Sequence, residues 1–268
     1  MRPSGNIIKL CRVLCHCVFL SVAVFIASAS NAMAEDNDAL SILKSMSDYM
    51  SKQAAIEFTF DSDIEIITPQ LEKIQFTNSG EALLSRPNML RAHRKGGYAD
   101  VSLYYDGETA SVYSKHDNSF AQVVVPGTVD QLIEVLRAGH GVALPGADFL
   151  LSNSYEVLVA DVMEAKHIGQ GVIGGVECEH LAFRNFDTDW QLWVETGEKP
   201  VPRKIVITSK TINSAPQYTF RVTSWNTDVK PTKAMFSFAP PTDATQLDPN
   251  ALIHLDELPP EAPAGENQ

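Results

Sequence analysis

The sequence predicts an α+β protein built on an antiparallel sheet of about ten strands that closes only partly into a barrel. Segments in which apolar and polar residues alternate recur through most of the chain, and short turn signals such as Asp106-Gly107 separate them. An amphipathic helix at 128–138 interrupts this series midway. The apolar face of such a sheet must be covered by helices or by a ligand.

The first 34 residues have the parts of a cleavable signal peptide. A positively charged start precedes an apolar run at 18–29, and small residues at 32 and 34 precede Glu35. An apolar run of 12 residues is shorter than the roughly 20 needed to span a bilayer, which disfavours an uncleaved anchor. We expect export and a mature chain that begins at Glu35.

The mature chain begins with a predicted helix at 38–52, followed by two long strands. The segments 56–66 and 71–84 alternate between apolar and polar residues, so each strand is predicted to have one buried face and one solvent-exposed face. A turn centred on Thr68-Pro69-Gln70 joins them as a hairpin. The positions that we predict to face a ligand cavity are Ile56, Phe58, Phe60, Ile64, Ile66, Ile74, Phe76 and Leu84.

The later elements follow the same two patterns. Four strands are predicted at 88–94, 98–105, 109–114 and 120–125. The capped helix at 128–138 and a looser helical region at 144–158 come next. Five more strands are predicted at 161–168, 172–184, 189–195, 203–210 and 216–228. We expect a single domain at 35–240 and a disordered tail at 241–268, because the tail is acidic and rich in proline.

The mature chain is acidic and has one cysteine. The leader holds three of the 21 basic and none of the 33 acidic residues, which leaves 18 basic against 33 acidic residues. Nucleic-acid binding needs clustered Lys and Arg, so this charge argues against it. Cys178 is the only cysteine after residue 34, which excludes an intramolecular disulfide in the mature chain.

The sequence contains one compact arrangement of reactive side chains, at 178–189. Cys178 and His180 are two residues apart on a predicted strand, with Asp187 and Asp189 across the next turn. They fit either a thiol nucleophile with its base, or part of a metal site, or a buried cysteine beside a hydrogen-bonded histidine. We favour the last, because a zinc site needs two further ligands that the spacing does not supply. We therefore expect no enzyme activity, no cofactor and no metal.

A basic cluster at 91–95 stands out in this acidic chain. It consists of Arg91, His93, Arg94 and Lys95. The cluster is typical of a solvated strand end, and the alternative is a contact with an anion or a lipid headgroup at a cavity mouth.

The sequence resembles a family of predicted periplasmic proteins, DUF2092. The resemblance is carried by His180–Ser209, Pro216-Gln217-Tyr218, Trp225-Asn226, Tyr105-Asp106-Gly107, Val125–Thr128 and Leu144-Pro145, so it spans nearly all of 38–240. That family is similar in architecture to lipoprotein-localisation factors of the LolA and LolB type. This implies a strongly curved antiparallel sheet that wraps around helices and encloses an apolar cavity, and it implies no catalytic residue.

Two functional hypotheses follow. The first is a non-enzymatic periplasmic carrier for a lipid or an acylated protein, with transient membrane contact and a ligand held by the apolar faces of 56–66 and 74–84. The second is an envelope structural or protein-interaction module whose acidic tail recruits a partner. The sequence leaves the oligomeric state open.

Overall fold

The structure, a computed structural model, describes residues 38–142 and 144–250. The predicted signal peptide and most of the predicted tail lie outside the described residues. The helices are α1 (residues 38–51), α2 (Val129–Glu134), which continues as a π-helical turn (Val135–Gly139), and α3 (Ser154–Val159). Short 3₁₀ turns lie at Ala147–Leu150 and Lys233–Phe236. Among the described residues, no helix is long and apolar enough to span a membrane.

The strands are β1 (Ala55–Ile67), β2 (Lys73–Ser85), β3 (Met89–Gly96), β4 (Asp100–Tyr105), β5 (Thr109–Ser114), β6 (Ser119–Val124), β7 (Glu164–Ile173), β8 (Val176–Arg184), β9 (Thr188–Glu195), β10 (Pro202–Ser209), β11 (Gln217–Asn226) and β12 (Thr245–Gln246). They form one sheet in the order β12-β6-β5-β4-β3-β2-β1-β11-β10-β9-β8-β7. In this sheet β12 and β6 pair in parallel and the other neighbours are antiparallel. β12 and β7 lie at opposite ends of this order, so the sheet is not closed. The prediction of a large, incompletely closed, mainly antiparallel sheet is confirmed, with twelve strands instead of about ten; its strong curvature and its wrapping around helices stay predictions.

The pairing of β1 with β2 gives the sheet a continuous apolar face, here called the core face. Phe58 lies opposite Ala82, and Ala82 in turn lies opposite Ala92 of β3. Because alternate side chains of a strand share a face, the apolar set of each strand lies beside that of its neighbour. At the end of the sheet that holds the start of β1, Ile56 and Leu43 of α1 belong to one buried cluster. The helices and the sheet therefore share one core.

The start of α2 is fixed by hydrogen bonds from two directions. The Thr128 side chain caps the helix by accepting from the Gln131 backbone N–H, and the Gln131 side chain accepts from the Thr128 backbone N–H. The buried Tyr105 hydroxyl donates to the carbonyl oxygens of Val125 and Gly127, each at 2.9 Å. The helix is thereby attached to β4 at a defined position, with Leu132 buried.

One detail differs from the prediction, and another adds to it. The β7–β8 hairpin turns at Gly174-Gly175, where both φ angles are positive (+59° and +86°), so the strand break expected at 169–171 is wrong. Two consecutive glycines supply the conformation that a two-residue hairpin loop requires. The structure also shows a short strand after the predicted domain: Thr245 lies opposite Ser119, and the Leu247 N–H donates to the Phe120 carbonyl at 2.7 Å.

Candidate ligand-binding cavity

An apolar cavity of about 340 Å³ lies between the core face and the segment that connects β6 to β7. The sheet contributes side chains from β1 to β5 and from β11, and the connection contributes α2, its π-helical turn and residues around 141–150. The described lining residues are Phe58, Phe60, Ile64, Ala82, Leu90, Ala92, His93, Arg94, Val101, Leu103, Val112, Leu132, Ile133, Leu136, Gly141, Val142, Leu144, Pro145, Gly146, Ala147, Leu150, Tyr218 and Phe220. The volume falls in the range of small-molecule pockets, roughly 300–1,000 Å³.

Small residues on β2 and β3 leave the room for this cavity. Ala82 and Ala92 lie opposite each other and both line it. Next to them, Gly80 lies opposite Phe60, and a Cβ at Gly80 would lie only 2.5 Å from Phe60 Cζ. The absence of a side chain at Gly80 therefore lets the Phe60 ring lie across β2. That ring stacks on Phe220 of β11 with centroids 4.6 Å apart, which closes one wall of the cavity.

The eight residues predicted to face a cavity lie at three depths along the β1–β2 hairpin. Phe58, Phe60 and Ile64 line the cavity. Ile56 and Leu84 are fully buried at the α1 end and belong to the core instead. The remaining three, Ile66, Ile74 and Phe76, lie towards the hairpin turn, outside the lining; Ile74 is 39% exposed and Phe76 packs on Tyr98. Alternation identifies the face of a strand, whereas depth depends on which helices cover it.

Sequence reasoning missed most of the cavity wall. Ala92, Leu103, Leu132 and Phe220 come from four separate elements, and long-range pairing brings them together. One local signal was available: Gly80, Ala82 and Ala92 are small residues at core-face positions of long strands, where bulky side chains are usual.

The structure divides the basic cluster between two environments. Arg91 Nη2 lies 3.1 Å from Glu81 Oε1, and Lys95 Nζ lies 3.7 Å from Asp100 Oδ2. His93 Nε2 is hydrogen-bonded to Asp100 Oδ1 at 2.9 Å, and this bond is the main cause that lowers the pKa of Asp100. His93 and Arg94 line the cavity, whereas Arg91 and Lys95 do not.

The Cys178–His180 arrangement does not form a nucleophile with its base. Cys178 is fully buried, and its Sγ donates to the Val176 carbonyl at 3.4 Å. His180 Nε2 is hydrogen-bonded to Gln191 Oε1 at 2.9 Å. Burial raises the pKa of the Cys178 thiol, which disfavours the reactive thiolate. Within 38–142 and 144–250, no group of three or more His, Cys, Asp or Glu side chains is placed to hold a metal ion.

We expect Cys178 to react with a thiol reagent about tenfold more slowly, or slower still, in the native protein than in urea-unfolded protein, because the thiol is buried and protonated. The measurement is the labelling rate at slightly alkaline pH, with the unfolded chain as control. Equal rates in the two states would contradict the buried position.

The open sheet, the helices on its core face and the apolar cavity between them define a class of cavity-bearing sheet proteins. The chain belongs to the DUF2092 family of predicted periplasmic proteins, which matches residues 39–248. The resemblance drawn from the sequence to this family is thus confirmed.

Several solved structures are similar to this chain at low sequence identity. An uncharacterized conserved protein from Thermus thermophilus is 10% identical, with a TM-score of 0.47 over 79% of this chain and 99% of the other. The Mycobacterium tuberculosis lipoprotein LppX is 13% identical, with a TM-score of 0.46 over 73% and 98%. A LolA superfamily protein from Nitrosomonas europaea is 12% identical, with a TM-score of 0.35 over 75% and 97%. No curated protein matches the chain significantly.

Proposed function

We propose that this protein is a non-enzymatic periplasmic carrier for a lipid or another molecule with an apolar chain. The observation that carries the proposal is the apolar cavity of about 340 Å³, which the side chains of residues 38–142 and 144–250 leave open. Bulky side chains at 82 and 92 would fill this space, and alanines stand there instead. An unfilled apolar cavity lowers the stability of a protein, and an apolar ligand offsets that cost.

The proposal includes the location and the layout of the chain. Cleavage after Ala34 would release residues 35–240 as one domain, with the sheet curved around α1 and α2 and the cavity on the inside. The description of the family as predicted periplasmic proteins supports this location.

Native mass spectrometry tests the proposed function. The mature protein is released gently from the periplasm of its own host, and its mass is measured before and after lipid extraction. A stoichiometric adduct that extraction removes would support a carrier and identify its cargo. A chain that ends at Asn250 is measured in parallel, because a carrier keeps its adduct without residues 251–268. A clean mass without adduct would count against the carrier and favour an interaction module.

Transient contact with a membrane is part of the same proposal. The connections β1–β2, β3–β4, β8–β9 and β10–β11 all lie at one end of the sheet, because neighbouring strands are antiparallel. These four connections expose Leu71 (68%), Tyr98 (53%), Phe186 (87%) and Ile212 (50%). Apolar and aromatic side chains at loop ends favour the interface of a lipid bilayer. A ligand leaving a bilayer would then meet the cavity at the same end, where Ile64 and Tyr218 line it.

We expect the triple variant Leu71→Ser, Phe186→Ser and Ile212→Ser to bind vesicles of phosphatidylethanolamine and phosphatidylglycerol at least about tenfold more weakly than the unmodified chain, since each side chain gains roughly 1.5–3 kcal/mol on full burial. The measurement is cosedimentation. The double variant Val124→Ser and Val172→Ser is the control, because both valines are exposed at the opposite end of the sheet. If the triple variant binds vesicles as well as this control does, membrane contact through these loops is excluded.

A further inference from the structure

An open cleft lies between the β3–β4 connection (97–99) and the β5–β6 connection (115–118), here called the loop cleft. Its lining includes Lys95, Tyr98, Asp100, Lys115 and His116. The Lys115 backbone N–H donates to the Asp100 carbonyl at 2.8 Å, so a hydrogen bond joins the two connections. Because neighbouring strands here are antiparallel, both connections lie at the end of the sheet that carries the exposed apolar loop residues.

The loop cleft carries more positive than negative charge, although the mature chain is acidic. Lys95 and Lys115 are both exposed, and Asp100 is the only described residue of the lining with a carboxylate. That carboxylate is already engaged: one oxygen is hydrogen-bonded to His93 Nε2 at 2.9 Å, and the other lies 3.7 Å from Lys95 Nζ. The cleft therefore has an excess of cations that its own carboxylate does not balance.

Lys115 is the lysine of the loop cleft that has no carboxylate partner. Within 38–142 and 144–250, its side chain forms no salt bridge and no hydrogen bond. The acidic residue next to it in the same turn, Asp117, accepts instead from Ser114 Oγ at 2.9 Å. The Lys115 ammonium is thus available to an anion from outside the protein.

Tyr98 places the loop cleft at the level of a membrane interface. Its side chain is 53% exposed and packs edge-to-face on Phe76, with ring centroids 5.5 Å apart. Tyrosine favours the headgroup region of a bilayer, because its ring is apolar and its hydroxyl is polar. The apolar cavity is close by, since His93 lines the cavity and binds Asp100 of the cleft.

We propose that the loop cleft binds the phosphate of an anionic bilayer lipid such as phosphatidylglycerol, and thereby directs the carrier to anionic membranes. The inference rests on the membrane contact in the proposed function and adds the class of lipid. Lys95 and Lys115 attract a headgroup with net negative charge, whereas they repel the ammonium of a zwitterionic headgroup. Lysine suits this role because it binds phosphate as a point charge.

Cosedimentation of the mature protein with vesicles of two compositions tests the inference. One set contains phosphatidylcholine alone, and the other contains phosphatidylcholine with phosphatidylglycerol. We expect about tenfold tighter binding, or more, to the vesicles with phosphatidylglycerol, because each lysine near an anionic surface strengthens binding roughly fivefold. Raised salt should remove most of this preference, because it screens exposed charges.

The double variant Lys95→Gln and Lys115→Gln should reduce the preference to about twofold or less, while binding to phosphatidylcholine stays unchanged. The matched control is Lys52→Gln with Lys199→Gln, which removes the same charge from exposed positions at the opposite end of the sheet and should keep the preference. All four lysines are exposed, so thermal unfolding should be unchanged in both variants.

Three results would overturn the inference. Equal binding to the two vesicle sets, or an undiminished preference in the Lys95 and Lys115 variant, would refute the loop cleft while membrane contact stands. If inorganic phosphate binds without vesicles and this variant loses that binding, the cleft is a site for free phosphate and the lipid assignment is wrong. If the unmodified protein binds neither vesicle set, membrane contact is refuted and the inference with it, and the mass-spectrometric adduct tests the carrier independently.

Discussion

Ala92→Phe is expected to lower the affinity for an apolar-chain ligand by about a hundredfold, because the benzyl group takes the room of about four methylenes, each contributing about 0.8 kcal/mol on burial. Ala92 lines the cavity opposite Ala82, so the new ring has open space to enter. The measurement is displacement of a neutral fluorescent probe, N-phenyl-1-naphthylamine, by dodecanoate on the delipidated mature protein.

The control for this variant is the same substitution on the other face of the sheet. Ala182 is half-buried on β8 and lies opposite Lys166 and Gln191, away from the cavity. Ala182→Phe should leave ligand affinity unchanged. Unchanged affinity in Ala92→Phe would show that the ligand binds elsewhere, and the cavity would lose its proposed role.

Leu84→Ala is expected to lower the free energy of unfolding by about 2–5 kcal/mol, the usual cost of truncating a fully buried leucine. Leu84 is 0% exposed, lies opposite Ile56 and does not line the cavity. The Leu84→Ala variant should therefore be less stable, but the fraction of it that is folded should bind the ligand with unchanged affinity. Urea unfolding measures the first quantity and probe displacement the second.

Ile74→Ala provides the comparison on the same strand and the same face. Ile74 is 39% exposed near the hairpin turn, so its truncation should cost no more than about 1 kcal/mol. If Ile74→Ala and Leu84→Ala lowered the free energy of unfolding equally, the assignment of Leu84 to the buried core and of Ile74 to the partly exposed hairpin end would be contradicted. A loss of ligand affinity in folded Leu84→Ala would place the ligand deeper than the cavity described.

The strands and the shared face of β1 and β2 are predictable from the sequence, because alternation is a local property of the chain. The set of residues around the cavity is not, since Phe58 and Phe220 meet only through the pairing of β1 with β11. Alternation also fails to anticipate polar residues on the core face: Ser62 is 0% and Asn78 3% exposed, and the two lie opposite each other. The short β12 was missed because two paired residues leave no periodic pattern.

The segment 125–163 joins β6 to β7, which lie near opposite margins of the twelve-stranded order. The chain must therefore span the width of the sheet between these strands, and it carries Leu132, Leu136 and Leu150 over the cavity on the way. This segment is attached to the sheet at both of its ends, through β6 and β7, whereas a flap is attached at one end only. In the proposed carrier, moving this segment away from the cavity would therefore have to displace it near both margins of the sheet.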